Sequence, residues 1–287
     1  MRPSVSIIVP NYNHEAYLQE RLDSIFNQSF QDIEVILLDD ASRDGSVTLL
    51  QQYKNHPKVS HVLCNQKNTG SPFLQWQKGL ELAVGDYIWI AESDDSCERN
   101  FLETQLQILQ AADVAVARTK TFSSVGVHHE IAHPVFGQDT ETRLTTDSLL
   151  YCPILNVSAV VFKRSLLQHL EQFQFTAYSI IGDRVFYYEA FQGKYIHKNE
   201  ATTSYFRQEG TGVSNLDHKD ISYLAQYFEQ HLRFLAYVAS REILSKEEKQ
   251  VYVDRFFARV RDRLTRREKL SFTYLKILWR YMKHSSQ

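Results

Sequence analysis

The sequence predicts an α/β protein with a mostly parallel central sheet, flanked by helices and followed by a helical C-terminal region. Short apolar runs alternate with helix-like stretches through the first half of the chain, which is typical of parallel sheets. Two of those runs end in carboxylates, and from about residue 218 the strand-like runs give way to long, aromatic-rich helical patterns. A chain of 287 residues is long enough to bury a full core of this kind.

The individual elements follow from apolar periodicity and from the residues that interrupt it. Strands are predicted where short runs are rich in apolar and β-branched residues, at 5–9, 33–38, 59–64, 87–91, 114–119 and 156–162. Helices are predicted where apolar residues recur every three or four positions, at 15–27, 46–53, 73–84, 100–112 and 165–173. Residues 123–150, rich in Thr, Asp, His and Gly, predict a loop-dominated insertion.

Composition excludes several classes of protein. Charged residues make up 23% of the chain and the formal net charge is −2, so the overall charge indicates no nucleic-acid partner. The three cysteines lack a CxxC spacing, which suits a reducing compartment and argues against a disulfide framework. No apolar run approaches the roughly 18 residues of a membrane span, and the N-terminal run is too short for a signal peptide. We expect a cytoplasmic protein, free or at the inner face of the cell membrane.

Carboxylates cluster where two predicted strands end. Asp39 and Asp40 follow one apolar run, and Glu92, Asp94 and Asp95 follow another. Like charges about 4 Å apart repel by roughly 1 kcal/mol in water and about 4 kcal/mol near a protein surface, and a divalent cation would offset that repulsion. Open α/β sheets bind ligands at the carboxyl ends of their strands. Because neither GxGxxG nor GxxxxGK followed by Ser or Thr occurs, we expect a metal and side chains to hold the phosphates of any nucleotide.

Three segments carry a family resemblance. SIIVPNYNHEAYLQERLDSIFNQ, EVILLDDASRDGS and NTGSPFLQWQKGLELAVGDYIWIAESDD follow one another in order between residue 4 and about residue 115. Together they resemble the nucleotide-binding half of family 2 glycosyltransferases with the GT-A fold, and a looser resemblance continues to about residue 215. The resemblance implies a nucleotide-sugar-binding half at 1–115, an acceptor-binding and catalytic-base half at 116–217, and a helical C-terminal region at 218–287.

The resemblance also implies an activity. It is that of a metal-dependent, inverting glycosyltransferase of the hexosyltransferase type, which uses Mn²⁺ or Mg²⁺ and a nucleoside-diphosphate sugar, with a UDP-sugar expected. The acceptor is expected to be a glycan or a lipid-linked acceptor, and the setting bacterial surface polysaccharide synthesis. Processive members carry a QxxRW motif, which this chain lacks, so we expect addition of a single sugar.

On the donor side, the resemblance assigns four residues. Pro10 and Tyr12 form the turn after the first strand, with the Tyr12 ring stacking on the base. Asp40 is expected to accept a hydrogen bond from uracil, because a carboxylate can only accept and therefore favours a base with a ring N–H, which uracil and thymine have and cytosine lacks. Lys78 reaches the nucleotide. The alternatives are an ordinary strand-ending turn, a pair of aspartates that cap the helix beginning at Ser46, and a solvated lysine on a helix face.

The segment Glu92-Ser93-Asp94-Asp95 matches the DxD-type motif of the family. Asp95 is the expected ligand of Mg²⁺ or Mn²⁺, and Asp94 is expected near the ribose or the donor sugar. Glu92 departs from the aspartate found in many members, and its extra methylene argues against direct ligation, so any contribution of Glu92 to the metal is expected to be indirect. The alternative is that the acidic strand end caps the helix near Asn100.

Asp183 is the expected catalytic base. Residues 180–186 resemble the segment in which the family places its catalytic aspartate, usually written ED, and here Gly182 stands in place of the glutamate. A carboxylate beside an acceptor hydroxyl can take its proton during attack on the anomeric carbon. Glu189 is a second candidate, and the alternative role for Asp183 is to cap the helix that follows.

Arg207 is expected on the diphosphate. The stretch 205–214 resembles a family element that ends in an arginine-containing loop, and a guanidinium suits phosphate because of its bidentate fork. Glycines at positions 210 and 212 would let such a loop move.

Three other functions compete with this interpretation. Residues 129–133 spell HExxH, the zinc-protease pattern, but Pro134 follows at once and a sustained helix is not expected. A sugar nucleotidyltransferase would need a glycine-rich loop with Arg and Lys after the first strand, which PNYNHEAY does not provide. A non-catalytic glycan- or membrane-binding protein on a degenerate GT-A scaffold is left open by the departures at Glu92 and Gly182.

The C-terminal stretch is basic and amphipathic. Between residues 255 and 283, ten Lys or Arg stand against two acids. Two apolar sets recur there at helical spacing: Phe256, Val260 and Leu264, then Leu275, Leu278, Trp279 and Met282. Such a helix can lie in the headgroup layer of an anionic membrane. The alternative is that it packs on the catalytic domain or on another subunit.

Overall fold

The computed structural model of the chain describes residues 2–137, 139–209, 216–217 and 219–285. The chain divides into two compact units, residues 1–209 and 210–287, and each is a body of its own. The predicted boundaries after residues 115 and 217 stay predictions.

The first unit is built from strands and helices in alternation. Its strands are β1 (Val5–Asn11), β2 (Ile33–Asp39), β3 (Val59–Cys64), β4 (Tyr87–Ile90), β5 (Ser96–Cys97), β6 (Val114–Ser123), β7 (Gly126–Ile131), β8 (Glu141–Arg143), β9 (Val160–Lys163) and β10 (Tyr195–Arg207). Its α-helices are α1 (Glu15–Phe26), α2 (Ser46–Gln52), α3 (Pro72–Leu82), α4 (Phe101–Ile108), α5 (Thr146–Leu150) and α6 (Gly182–Phe191). The predicted α/β class is confirmed.

The strands form one mixed sheet in the order β3-β2-β1-β4-β9-β6-β10-β5. The first four run parallel, and β9 is antiparallel to both of its neighbours. Strand β10 runs parallel to β6 and antiparallel to β5, while β7 adds to β6 and β8 adds to β10. The insertion of β9 between β4 and β6 therefore separates a parallel N-terminal half of the sheet from a mixed half.

Burial on both faces explains why the first strands read as continuous apolar runs. Every residue of β1 and β2 is buried, as expected for central parallel strands covered by helices on both sides. Helix α3 packs closely on β1 at Gly79, where a Cβ would lie only 2.3 Å from Ile8 Cγ2. The absence of a side chain at this position allows the close approach. The register places Asn11 beside Asp39 and Ile8 beside Ile90. The carboxyl ends of β1, β2 and β4 therefore meet at one edge of the sheet.

The predicted loop-dominated insertion at 123–150 is wrong. Strand β7 forms a hairpin with the end of β6, and β8 pairs with β10. Helix α5 then begins with a capping box, in which the side chains of Thr145 and Ser148 accept from each other's backbone amides. Most of β7 is exposed to solvent, and His128, His129 and Glu130 interrupt the apolar pattern that would identify a strand.

Two further elements differ from the prediction. The helix predicted at 165–173 consists of two 3₁₀ turns, Arg164–Leu167 and Leu170–Gln172, with His169 between them at φ 66°. A residue in the left-handed region cannot continue a right-handed helix. Strand β10 carries no apolar run that would identify it, because the buried positions in its middle are the hydroxyl residues Thr202, Thr203 and Ser204.

The zinc-protease pattern lies on a strand. His129 and Glu130 belong to β7, and His133 follows it, buried. The Leu155 amide donates to His133 Nδ1 at 3.1 Å, and His133 Nε2 lies 2.9 Å from Thr119 Oγ1. The two histidines share no helix face, and the residues that the structure describes include no group of three or more His, Cys, Asp or Glu suited to a metal. The metalloprotease interpretation is wrong.

The second unit is helical. Its described residues form α7 (Ile221–Ala239), α8 (Lys246–Arg261) and α9 (Phe272–Ser285). Between α7 and α8, the His231 ring stacks on Phe256 with 3.6 Å between centroids, and His231 Nδ1 lies 2.7 Å from the Tyr252 hydroxyl. Helix α9 joins them through Tyr281, which stacks on Phe257 at 4.0 Å. The predicted helical C-terminal region is confirmed, and no helix in the described chain combines the length and hydropathy needed to cross a bilayer.

We expect His133 to make the fold sensitive to acid. Burial lowers the pKa of His133 to about 4, from an ordinary value of 6.5, and Lys198 adds to the lowering. Between these two values the unfolded chain binds a proton that the folded chain excludes, so stability rises with pH across this window. A change from pH 7 to pH 5 should therefore cost about 2 kcal/mol through this residue.

Chemical denaturation at the two pH values measures the effect. His133→Gln should lose this part of the pH dependence, whereas His128→Gln, on the exposed strand of the same hairpin, should keep it. An equal pH dependence in the two variants would contradict the assignment to His133.

Candidate active site

The acidic loop that follows β4, residues 92–95, is fixed through its main chain. The Glu92 amide donates to Ser158 Oγ at 3.0 Å. The Glu92 carbonyl accepts from Arg21 Nε at 2.8 Å and from the Asp95 amide at 3.2 Å. Helix α1, the 3₁₀ turn before β9 and the loop itself therefore hold the turn in place at the carboxyl edge of the sheet.

The Glu92 side chain turns toward α3. Trp76 Nε1 donates to Glu92 Oε1 at 2.7 Å. Burial raises the pKa of Glu92 to about 8, and the charge of Asp94 adds to the rise, which the Trp76 bond opposes. The extra methylene lets this carboxylate reach the indole, and the bond occupies one of its two oxygens. Any contribution of Glu92 to a metal stays a prediction.

Asp95 is the most buried carboxylate of the loop. Its Oδ1 accepts from the Arg207 amide at 2.9 Å, whereas its Oδ2 has no hydrogen-bond partner within the described chain. Burial raises the pKa of Asp95 and Asp94 adds to the rise, while Arg21 and the nearby Ser158 hydroxyl oppose it. Ser158 does not reach hydrogen-bonding geometry with Oδ2. A buried carboxylate oxygen without a partner is costly, so this atom is suited to a ligand.

The donor set fits a hard divalent cation that is shared with phosphate. Such cations take oxygen ligands, and Mg²⁺ at phosphate sites is held by one or two carboxylates together with phosphates and water. Asp95 Oδ2 offers an unused oxygen, and the half-buried Asp94 is its neighbour in the chain. A metal site made by protein alone would need more ligands than these two residues provide. The described residues include no group of three or more His, Cys, Asp or Glu that could form such a site.

A second polar cluster surrounds Asp40 after β2. The buried carboxylate accepts from Asn65 Nδ2 at 2.7 Å, from Gln75 Nε2 at 3.0 Å, and from the amide and hydroxyl of Thr69. Lys78 Nζ donates to Asn65 Oδ1 at 3.1 Å. Lys78 is therefore not a solvated helix-face lysine. The structure brings it together with Asp40 around the Asn65 amide.

The end of β1 differs in detail from the prediction. Pro10 does not end the strand, because it pairs with Leu38 of β2 and β1 continues for one more residue. Tyr12 follows with its side chain 40% exposed, which leaves the ring open to a stacking partner.

The alternative in which Asp39 and Asp40 cap α2 is wrong, because it is Asp44 that accepts from the Ser46 amide, at 3.0 Å.

Asp183 lies in the first turn of α6. The helix begins at Gly182 with Ile181 as its N-cap, so Asp183 is not the capping residue and that alternative is wrong. Burial raises the pKa of Asp183, and Arg184 together with the first-turn amides opposes the rise. Arg184 is itself buried and donates to the Leu150 carbonyl at 2.9 Å. The carboxylate is therefore enclosed at the positive end of a helix.

Electrostatics connect Asp183 with the acidic loop. Tyr187, one turn further along α6, has its pKa raised well above the ordinary value, first by burial and then by the charges of Asp183, Cys152 and Glu92. Asp183 on α6 and Glu92 of the acidic loop thus both add to the rise in the pKa of this buried phenol. Glu189, the second candidate base, uses both oxygens to accept from backbone amides of a preceding turn, at 2.6 and 3.1 Å.

Gly182 makes room for an aromatic ring. A Cβ at this position would lie 2.4 Å from Cδ2 of Phe73 in α3, so a larger residue would force the ring to shift. Phe73 packs edge-on against Trp76 with 5.1 Å between centroids, and Trp76 packs edge-on against Phe186 at 6.0 Å. The Phe73 ring, which leaves no space for a glutamate at position 182, therefore also packs against the Trp76 indole that binds Glu92.

Arg207, at the end of β10, is held by its surroundings. Its guanidinium lies between the rings of Tyr17 and Phe122, 4.3 and 4.1 Å from their centroids, and its Nε donates to the Asp94 carbonyl at 2.7 Å. Arg207 thus fixes the acidic loop, and its contact with a diphosphate stays a prediction. Positions 210, 212 and 214 of the predicted loop lie outside the described residues.

Arg21 is a residue of the site that the sequence analysis does not identify. It is fully buried beneath the acidic loop, and its charge opposes the rise in pKa that burial causes at Glu92 and Asp95. Neither Nη atom has a hydrogen-bond partner in the part of the chain that the structure describes. The sequence does contain a signal: Arg21 falls between Leu18 and Ile25 on the apolar face of α1, where a cation is unusual.

A family model described as "Glycosyl transferase family 2" matches residues 6–170, which is more than half of the chain. The chain belongs to glycosyltransferase family 2. The matched segment runs from β1 through the acidic loop and β9.

Two curated glycosyltransferases illustrate the likeness in sequence. The chain is 35% identical over 118 residues to TuaG of Bacillus subtilis, named for teichuronic acid biosynthesis, and the match covers 41% of this chain and 46% of TuaG. It is 26% identical over 258 residues to TarS of Staphylococcus aureus, a poly(ribitol-phosphate) β-N-acetylglucosaminyltransferase, which covers 80% of this chain and 44% of TarS. The chain thus spans less than half of the length of these relatives.

Solved structures show the fold of this family 2 member. TarS 1–349 in complex with UDP-GlcNAc matches with a TM-score of 0.68 at 18% identity, over 99% of this chain and 82% of that one. Mannosyltransferase PcManGT from Pyrobaculum calidifontis, in complex with GDP-Man and Mn²⁺, matches with a TM-score of 0.56 at 17% identity, over 100% and 74%. At such identities the likeness concerns the fold alone, and the predicted GT-A fold is confirmed.

We expect Gly182→Ala to destabilise the fold, although alanine is elsewhere the better helix former by about 1 kcal/mol. The added Cβ would overlap the Phe73 ring, and over-packing a filled core costs about 1–3 kcal/mol. Chemical denaturation of the variant measures the change. In a Phe73→Leu background the same alanine should cost less, because its collision partner is smaller. A gain in stability in the unmodified background would contradict the contact.

Proposed function

We propose that this chain is a metal-dependent, inverting glycosyltransferase that adds a single sugar from a nucleoside-diphosphate donor, with UDP as the nucleotide, to a glycan or lipid-linked acceptor. The observation that carries the proposal is the state of Asp95. One of its oxygens is fixed by a backbone amide, and the other is buried without a partner among the described residues. This atom lies at the carboxyl edge of the sheet, where α/β folds bind ligands.

Donor binding is proposed at the neighbouring end of β2. The exposed ring of Tyr12 would stack on the base, and Lys78 would turn from Asn65 toward a phosphate. Asp40 would accept from the ring N–H of uracil. Because its carboxylate already accepts from several groups, Gln75 among them, one of the present donors would have to move aside.

Asp95 is the residue proposed to hold Mn²⁺ or Mg²⁺, and Asp94 is proposed to lie near the ribose or the donor sugar. Such a cation, when bound, supplies Lewis-acid neutralisation of the charge on the departing nucleoside diphosphate. Glu92 would stay on the Trp76 indole and act through the shape of the loop. The PcManGT complex with Mn²⁺ supports this assignment by analogy of fold.

Asp183 is proposed to take the proton of the acceptor hydroxyl as its oxygen attacks the anomeric carbon from the face opposite the leaving group. One displacement of this kind inverts the configuration at that carbon. Burial raises the pKa of Asp183, which makes its carboxylate a stronger base, while Arg184 and the first-turn amides favour the ionised form that must accept the proton.

The proposed setting is the synthesis of a bacterial cell-surface polymer at the inner face of the membrane. TuaG is named for teichuronic acid and TarS for poly(ribitol-phosphate), and both match this chain in sequence. The TarS complex with UDP-GlcNAc supports a UDP-sugar as the donor.

A thermal-shift panel tests the donor half. We expect UDP or dTDP, whose bases share the ring N–H, to stabilise the chain in the presence of Mn²⁺ or Mg²⁺ more than GDP or CDP does, and EDTA to remove the effect. A ligand at 100 times its Kd contributes about 2.7 kcal/mol. Asp95→Asn should lose the metal-dependent shift, because the carboxylate is gone. The control Asp86→Asn, an exposed acid at the other end of β4, should retain it. A shift that persists in EDTA or in Asp95→Asn would contradict the metal assignment.

Asp183→Asn tests the base. We expect UDP release from UDP-sugars in the presence of acceptor to fall about 10²–10⁴-fold, the usual contribution of a general base, while the UDP-induced thermal shift is unchanged. Asp147→Asn, an exposed acid in the first turn of α5, is the matched control and should keep full turnover. Donor binding without turnover in the unmodified chain would favour a non-catalytic glycan- or membrane-binding protein instead.

A further inference from the structure

Helix α9 has two apolar faces, one buried and one in solvent. Ile277 is buried and Tyr281 stacks on Phe257, so one face packs within the second unit against α7 and α8. The opposite face carries four large apolar residues that are at least half exposed: Phe272 (71%), Leu275 (55%), Trp279 (59%) and Met282 (50%). We call these four residues the α9 ridge.

The α9 ridge is contiguous. At about 100° per residue, its four side chains fall within an arc of about 80° around the helix. Lys276 and Lys283 border that arc, with their Nζ atoms 4.7 Å from the Phe272 ring and 5.5 Å from the Trp279 ring. An apolar surface of this kind, rimmed by polar groups, marks an interaction site rather than a solvated face.

The unpaired charges next to the α9 ridge along the chain are positive, because the acids that contact α9 from α7 and α8, Glu229 and Asp254, bind Arg280 and Tyr281. Arg266, Arg267, Lys276 and Lys283 are exposed, and none of them joins an ion pair within the described chain. The only acid between residues 263 and 285, Glu268, is engaged by the amide and hydroxyl of Thr265. The surface therefore combines apolar side chains with unpaired cations.

We propose that the α9 ridge docks on an anionic lipid bilayer. Trp and apolar side chains partition into the boundary between headgroups and acyl chains, lysines reach from there to the headgroups, and anionic lipids attract the cations. A second copy of the chain fits less well, because a two-fold contact would set the same cations against each other. The inference concerns the second unit alone and does not depend on the proposed glycosyl transfer.

Vesicle co-sedimentation of the full chain tests the charge. We expect binding to phosphatidylcholine vesicles that contain phosphatidylglycerol, weakened by salt, and little binding to phosphatidylcholine alone. Each cation near the surface contributes about fivefold, so Lys276→Glu with Lys283→Glu should weaken binding at least about 25-fold. The control Lys54→Glu with Lys67→Glu makes the same charge change on exposed lysines of the first unit and should leave binding within a few-fold of the unmodified chain.

The chain contains its own reporter of insertion. Of its three tryptophans, Trp76 and Trp89 are 3% and 0% exposed, whereas Trp279 is 59% exposed. Anionic vesicles should therefore shift the emission to shorter wavelength, and lipids brominated on their acyl chains should quench it. Trp279→Phe should abolish this signal while vesicle binding persists.

A variant of the ridge tests the apolar contribution. Phe272→Ser with Leu275→Ser should reduce vesicle binding at least tenfold, whereas Ile243→Ser, at a fully exposed apolar position of the same unit, should not. Thermal unfolding equal to that of the unmodified chain would establish that the loss reflects the surface rather than the fold.

Three results would overturn the proposal. One is binding that does not depend on phosphatidylglycerol, and another is equal loss in the Lys276/Lys283 and Lys54/Lys67 variants. The third is a concentration-dependent dimer in sedimentation velocity that Leu275→Ser abolishes, since the ridge would then be a contact between copies. Turnover of a water-soluble acceptor should be unchanged in the ridge variants, so failure of docking is distinguishable from failure of the proposed activity.

Discussion

Negative charge crowded after β4 is the constraint around which the first unit is arranged. Burial and mutual repulsion raise the pKa of Glu92 and of Asp95. Three other elements supply hydrogen-bond donors or cations to this loop. Helix α1 supplies the Arg21 guanidinium, α3 the Trp76 indole, and β10 the amide and guanidinium of Arg207. Hydrogen bonds to charged groups contribute about 1.5–3 kcal/mol each. The acidic loop is thus stable only because distant segments converge on it.

The two departures from the family pattern belong to one packing arrangement. Glu92 reaches the Trp76 indole, Trp76 packs against Phe73, and Phe73 occupies the space above Gly182 that a side chain would need. A longer acid in the loop and a missing acid on α6 are therefore connected through a single aromatic cluster. Asp183 is retained beside this cluster, so the rearrangement leaves one carboxylate at each of the two places that the proposed reaction requires.

Local sequence patterns were sufficient to predict elements whose buried side chains are apolar. They were insufficient where the buried side chains are polar. Strands β1, β2 and β4 bury mostly apolar side chains, and the order of motifs pointed to the acidic loop, Asp40 and Asp183. Strand β10 could not be found in this way, because its buried hydroxyl residues depend on partners far away in sequence: Thr202 bonds Asn100. Arg21 was missed for the same reason, since its role is defined by a carbonyl 71 residues later.

The bond between the Arg207 amide and Asp95 has a consequence for how the chain is made. The two residues are 112 positions apart, so a ribosome that adds about 5–20 residues per second produces Arg207 about 6–22 s after Asp95. In the first part of that interval, until residue 163 is made, β4 lacks β9, its second neighbour in the sheet, and the acids lack a complete β10 until the interval ends. The carboxyl edge of the sheet is therefore among the last parts of the first unit to be completed, although most of its acids are among the first to be synthesised.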